Sequence, residues 1–398
     1  MKNRKLEKRN KLKKKLITIL VVIVFIAIAI LIQRLIYHKI DEENPVSNAP
    51  KNETLASQEE NKQEENKTEE TVVEDDGQIK VVPTMNDEVL GNAAWCGTLQ
   101  LVWNDLMEKA GGELIFDPEI TMATNLNKKE FTKENISEDD YYQTYGLQTE
   151  KLKEKIEKNI KEKFNEKSDI LDDFDWFKTE KEAGNCYFFY AMLKKVFNFE
   201  YVFDDLDDGI FENGIYKDVK YFGVTTSTDE RVRSQIRILY YNSDDDFAVS
   251  LRTKEGEEII LCNNPEGKNF KEIYDNINNK NKKYSGMRIL EDIDDFKMPN
   301  LKFNLEEKYK DLTGKSFTTE NSEGAINAVI QTIEFELNKK GGKLKSEAAI
   351  SADVTSAIEE PKTPKHLYLD DSFVMFLVEE DKDTPYFAVK ISDISKFQ

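Results

Sequence analysis

Every second position from Ser346 to Ile358 is small or apolar: Ser346, Ala348, Ile350, Ala352, Val354, Ser356 and Ile358. The intervening set, Glu347, Ala349, Ser351, Asp353, Thr355, Ala357 and Glu359, is mostly polar. Period two predicts a half-buried strand. Yet the acidic, proline-bounded Glu359-Glu-Pro-Lys-Thr-Pro364 follows directly and reads as an exposed loop. The stretch is written as a strand but presented as a loop. Val329 to Leu337, just before it, also predicts a strand. After it, Asp371 to Val378 and Thr384 to Ile391 predict two strands joined by a tight polar turn.

Upstream, Ala93 to Lys109 places Trp95, Leu99, Val102, Trp103 and Leu106 at helical spacing, and Gly111-Gly112 ends the predicted helix. Leu152, Ile156, Ile160 and Phe164 recur four apart within Gln148 to Lys167, predicting a helix laid on the domain's own sheet, with Glu and Lys pairs outside. Tyr187 to Leu193 is continuously apolar and predicts a strand covered on both faces. Period-two alternation is less clear through Tyr216–Thr226, and short strands are expected at Ile236–Tyr241, Phe247–Leu251 and Glu258–Cys262. Short helices are expected at Phe270–Ile277 and Asn304–Leu312. Strands and helices mix without a βαβ rhythm, so the class is α+β.

The N-terminus follows a different pattern. Residues 1–15 form a basic head whose only acid is Glu7, and Leu16 to Ile32 is apolar apart from Thr18, extended by Leu35-Ile-Tyr37. Residues 16–37 therefore predict a transmembrane signal anchor with the N-terminus cytoplasmic. Ala27-Ile-Ala29 has the form of a cleavage site, but Ile30-Leu-Ile32 continues the apolar run where polar residues are needed. Residues 38–80, rich in Glu, Asn, Lys, Ser and Thr, predict a disordered acidic tether. Residues 81–398 are left as the folded domain, outside the cell membrane.

The C-terminal pattern resembles the serpins. Asp371-Ser-Phe-Val-Met-Phe-Leu-Val378 and Thr384-Pro-Tyr-Phe-Ala-Val-Lys-Ile391 resemble the family's closing hairpin, and Lys345-Ser-Glu-Ala-Ala-Ile-Ser-Ala352 resembles the hinge of its reactive loop. Phe296 to Phe303, with Leu312, Gly314 and Phe317, resembles the strand and helix ahead of that loop. Phe188 to Phe203 resembles a central-sheet segment. There are departures: Phe199 stands where the family has tryptophan, Lys339-Lys-Gly-Gly-Lys-Leu-Lys345 replaces Glu-Glu-Gly, and Ile350 is bulkier than the usual hinge residue.

The resemblance implies a large central mixed or antiparallel sheet with smaller sheets, surrounding helices and an exposed reactive-centre loop. It also implies a trap for a serine or cysteine peptidase. On this reading Ser346, Ala348, Ala349, Ile350, Ser351 and Ala352 form the hinge. The reactive bond joins Glu359 to Glu360, with Lys362 the alternative bait residue. A non-inhibitory serpin-like module and an unrelated surface domain remain rival readings.

Composition narrows the partners. The 398 residues carry a net charge of -20, which argues against nucleic acid. Cys96, Cys186 and Cys262 are widely spaced in apolar contexts and read as buried free thiols. The only histidines are His38 and His366, and no HExxH, P-loop or GxGxxG occurs, so neither catalysis nor a cofactor is expected. Asp204-Asp-Leu-Asp-Asp-Gly209 puts Leu206 where a calcium loop needs a ligand, and Asn242 to Asp246 lacks the required glycine. Both read as solvated acidic turns, with no metal.

Overall fold

The computed structural model describes residues 78–342 and 363–398, all within the unit Val72–Gln398. The basic head, the expected anchor at 16–37, the tether up to residue 77, and the hinge and reactive-bond residues Ser346 to Lys362 lie outside the described residues. Among the described residues, no helix is long and apolar enough to cross a membrane.

The closing hairpin is the middle of the largest sheet. Its seven strands run in the order β1 (Lys80–Val81), β2 (Ala93–Cys96), β21 (Phe387–Ile391), β20 (Phe373–Glu379), β12 (Glu257–Asn263), β11 (Asp246–Arg252) and β10 (Ile236–Ser243). β1 and β2 pair in parallel and every other neighbour is antiparallel, so the sheet is mixed. β20 is buried along its whole length, as its unbroken apolar run requires. The helix Phe270–Lys283 covers it, with the Phe270 and Tyr274 rings edge-on to Phe376 at 6.0 and 5.1 Å. Asn269 caps that helix by accepting from the Glu272 N–H, and the helix runs past the expected end at Ile277.

A second sheet orders β19 (His366–Tyr368), β13 (Asp295–Pro299), β9 (Tyr221–Val224) and β6 (Asp204–Asp205). The remaining strands form pairs: β3 (Tyr141–Leu147) with β4 (Tyr187–Leu193), β14 (Leu301–Lys308) with β17 (Ile330–Leu337), β5 (Phe197–Asn198) with β18 (Gly341–Gly342), β7 (Gly209–Phe211) with β8 (Tyr216–Val219), and β15 (Ser316–Thr318) with β16 (Glu323–Ala325). The helices described are α1 (Thr98–Ala110), α2 (Thr121–Leu126), α3 (Glu150–Phe164), α4 (Glu180–Ala183), α5 (Glu230–Ser234) and the Phe270–Lys283 helix, α6. A large mixed sheet, a smaller mixed one, several strand pairs and helices around them make the α+β arrangement expected from strands and helices without a βαβ rhythm.

Several expectations need correction. Ala93 to Lys109 is not one helix: Ala93–Cys96 is a fully buried strand that supplies β21 with a partner, and α1 starts only after Gly97. Asn304 to Leu312 is not a helix either. Leu301, Phe303 and Leu305 turn inward while Lys302, Asn304, Glu306 and Lys308 are exposed, and the ladder to β17 overrides the helix-forming Glu-Glu-Lys run. Cys186 is half-buried, unlike Cys96 and Cys262. The segment resembling the central sheet, Phe188 onward, lies outside the seven-stranded sheet, in the β3–β4 pair.

The expected surface helix is in place as α3. Leu152, Ile156, Ile160 and Phe164 pack on Phe188 and Tyr190 of β4, and Thr149 caps it by accepting from the Leu152 N–H. β4 is thus covered by α3 on one face and backed by α1 on the other.

Candidate functional site

β4 has its ladder partner on one edge only, β3, and β17 has its partner on one edge only, β14. Among the described residues, no strand pairs with the other edge of either. These two free edges flank a cleft of about 850 Å³. Ala191 and Leu193 of β4 line one side and Thr332 and Glu334 of β17 the other, while one face of α1, including Val102 and Leu106, forms the floor.

The cleft is tied at both ends. At the start of both strands, the Asn327 side-chain amide donates to the Cys186 sulfur at 3.4 Å, and that thiol donates to Gln148 Oε1 at 3.2 Å. At the far end β5, which follows β4, pairs with β18, which follows β17. The Phe199 and Phe203 amides extend that closure, donating to the Lys340 and Lys339 carbonyls at 3.1 and 3.0 Å. Start meets start and end meets end, so β4 and β17 run in the same direction. Eight residues of β17 span ~26 Å. Gln331 fastens β17 over the start of α1: its amide donates to the Cys96 carbonyl and to Thr98 Oγ1, and its carbonyl accepts from the Tyr309 hydroxyl at 2.7 Å.

Gly341 makes the far closure possible. Its φ is +109°, and a Cβ there would stand 2.5 Å from the Phe197 carbonyl oxygen. Gly341→Val should detach β18 from β5 at a cost of about 2–3 kcal/mol. The check is a lower thermal midpoint together with faster hydrogen exchange at the Phe199 amide; an unchanged midpoint would refute the closure.

An ion cluster lies beside the same end. The Lys195 ammonium, in the link between β4 and β5, contacts Asp140 Oδ2 and Glu257 Oε1 at 2.6 Å each and Glu379 Oε1 at 2.7 Å. The side chains of Lys195, Glu257 and Glu379 are 9%, 1% and 4% exposed. The Ser137 N–H and hydroxyl donate to Glu379 at 3.0 and 2.8 Å, and the Tyr386 ring lies 5.6 Å from the ammonium. Burial pushes the Glu257 carboxyl above its usual range despite Lys195. For Glu379 burial acts the same way, but the hydrogen bonds from Lys195 and Ser137 outweigh it and hold the carboxyl below the usual value. Burial alone would depress the Lys195 ammonium; its three carboxylate partners raise it instead.

The other residues singled out from sequence are placed as follows. Phe199 is buried edge-on against Phe203 at 4.7 Å, next to Phe222. The His366 amide donates to Asp244 Oδ1 at 3.0 Å, and its Nδ1 lies 3.7 Å from Asp295 Oδ2. Asp205 and Asp208 pair with Lys339 and Lys220, and Asp246 accepts from Asn242 and Lys280. Among the described residues, no group of three or more His, Cys, Asp or Glu side chains is arranged to hold a metal. The cleft, Gln331 and the Lys195 cluster were not anticipated. The one signal for the cluster was a lysine pair, Lys194-Lys195, straight after an apolar strand.

No family model and no curated protein matches the sequence. In structure the chain is similar to serpins. It is 13% identical to Tengpin, a thermophilic serpin in its native state, over 78% of this chain and 90% of that one, with a TM-score of 0.43. With Serpin48 from the insect Tenebrio molitor, described as a highly specific serpin, the identity is 11% over 77% and 92%, and the TM-score 0.42. With human thyroxine-binding globulin complexed with thyroxine the identity is 12% over 61% and 64%, and the TM-score 0.35. The chain therefore spans less than two thirds of the thyroxine-binding globulin chains it matches.

Proposed function

We propose that the protein is a membrane-tethered, extracytoplasmic serpin-like inhibitor that traps a serine or cysteine peptidase. The observation that carries this reading is the pair of same-direction strands, β4 and β17, whose unpartnered edges face one cleft. A single strand antiparallel to both would satisfy both rows of backbone groups. The chain leaves β17 at the closed end through Gly341–Gly342, so a segment folding back from there would enter the cleft in that orientation. The alternation from Ser346 to Ile358 fits the task, since inward side chains would meet Val102 and Leu106.

The chemistry belongs to the target. Its serine or cysteine nucleophile attacks the carbonyl carbon of Glu359, the amide to Glu360 breaks, and the amine of Glu360 leaves with a proton. The freed segment before Glu359 then inserts, carrying the acyl-linked peptidase along before water can release it. The protein serves as bait, not as catalyst, and needs no cofactor.

Incubating the chain with a panel of serine and cysteine peptidases tests this: one member should give a denaturant-resistant covalent band. Clean cleavage by every member, with no such band, would favour the second reading, a non-inhibitory serpin-like binding module. Ile350 is the residue that favours that alternative, because its bulk slows threading of the hinge.

The tether reading rests on the basic head and the apolar run at 16–37. Protease added to intact cells should digest residues 81–398. Digestion only after lysis would reverse the orientation.

A further inference from the structure

Lys195 stands where the edge strand of the cleft passes into the pairing that closes it. Its two glutamate partners come from the seven-stranded sheet, where Glu257 of β12 and Glu379 of β20 face each other directly across the ladder. Opposed like charges repel, and burial removes the water that would screen them. The Lys195 ammonium between them is what makes this pair tolerable. Asp140, immediately before β3, holds the same ammonium, and the Lys194 amide donates to the Asp140 carbonyl at 2.9 Å. The end of the β3–β4 pair is therefore fixed to the large sheet by charge.

We propose that Lys195 is a positioning residue for loop insertion: an ionic pin that fastens the β3–β4 edge of the cleft to the seven-stranded sheet and limits how readily the cleft opens in the uncut chain. The proposal rests on the trap reading. Strands in a sheet lie ~4.8 Å apart, so a strand entering between β5 and β18 must part them by about that much again. That displacement exceeds the reach of contacts at 2.6–2.7 Å. With the pin intact, the β14–β17 side must do all the moving. Without it, either side can move, and the uncut segment enters the cleft prematurely.

Two readouts on the full chain test the pin. One is hydrogen exchange across residues 187–198; the other is the rate at which the uncut chain converts to a heat-resistant form. Lys195→Met should speed exchange in that stretch about tenfold, leave β10 and β11 unchanged, and accelerate conversion. Lys195→Arg, which keeps a cation on the three carboxylates, should keep exchange slow, whereas Lys195→Met keeps only the bulk; a merely packing role would be met by methionine. Unchanged exchange in Lys195→Met, or exchange in Lys195→Arg as fast as in Lys195→Met, overturns the proposal. If Lys195→Met does not fold, Glu379→Gln keeps the lysine and removes one partner: faster exchange at 187–198 supports the pin, and unchanged exchange rejects it. The exchange arm needs no peptidase, so it judges the pin even if the unaltered chain, once nicked, fails to become heat-resistant and the trap reading falls.

Discussion

A single cut between Glu359 and Lys365 should raise the thermal midpoint by more than about 10 °C, because the freed segment fills the cleft as a strand. The gain follows from the two edges. β17 offers eight residues and β4 seven, and neither inner edge has a strand partner among the described residues. At about 1 kcal/mol net per hydrogen bond, with apolar burial added and ordering cost subtracted, the gain is on the order of 10 kcal/mol. Roughly 2 °C per kcal/mol, or somewhat less at this chain length, converts that into the expected shift. Thermal unfolding before and after nicking measures it. A midpoint that stays or falls after the cut would end the strand-insertion account. Ala348→Arg should abolish the rise, since an unpaired guanidinium would have to lie against the apolar floor at Val102 and Leu106.

The covalent complex should carry its acyl bond at Glu359, and Glu359→Arg should redirect trapping to trypsin-like peptidases. By resemblance, the bait residue lies a nearly fixed distance beyond the hinge, and counting from Ser346 reaches Glu359. Glu360 is disfavoured because Pro361 follows it, removing the amide N–H and the φ freedom that most peptidases use. Mass spectrometry of the small C-terminal fragment decides between the two candidates. A fragment starting at Glu360 places the bond at Glu359, and one starting at Thr363 moves it to Lys362. A cut before Ala352 rejects trapping, because too little strand would remain to move the peptidase.

Local pattern was readable wherever a neighbour did not matter. The four-apart stripe Leu152, Ile156, Ile160 and Phe164 gave α3, because one helix face needs one surface to bury against. The closing hairpin was readable because β20 is apolar along nearly its whole length and the turn between the strands is polar. Ala93–Cys96 and Asn304–Lys308 were misread because both are ambiguous by themselves. Their extended conformation is enforced by β21 and β17, which lie far away in sequence or follow only later.

The sequence by itself determined the class, the order of the main elements, the acidic balance and the alternating segment after Leu344, since each is a property of composition or local period. Only the tertiary structure decided that β4 and β17 run in one direction on either side of a cleft, with inner edges that have no strand partner among the described residues. It alone decided, too, that one lysine after an apolar strand lies between two opposed glutamates. Strand direction depends on which ends meet, and Asn327 meets Cys186 across 141 residues. Glu257 and Glu379 become neighbours only through the register of β12 on β20. Contacts at such separations leave no periodic trace in the chain, because each residue is chosen for a partner that local sequence does not contain.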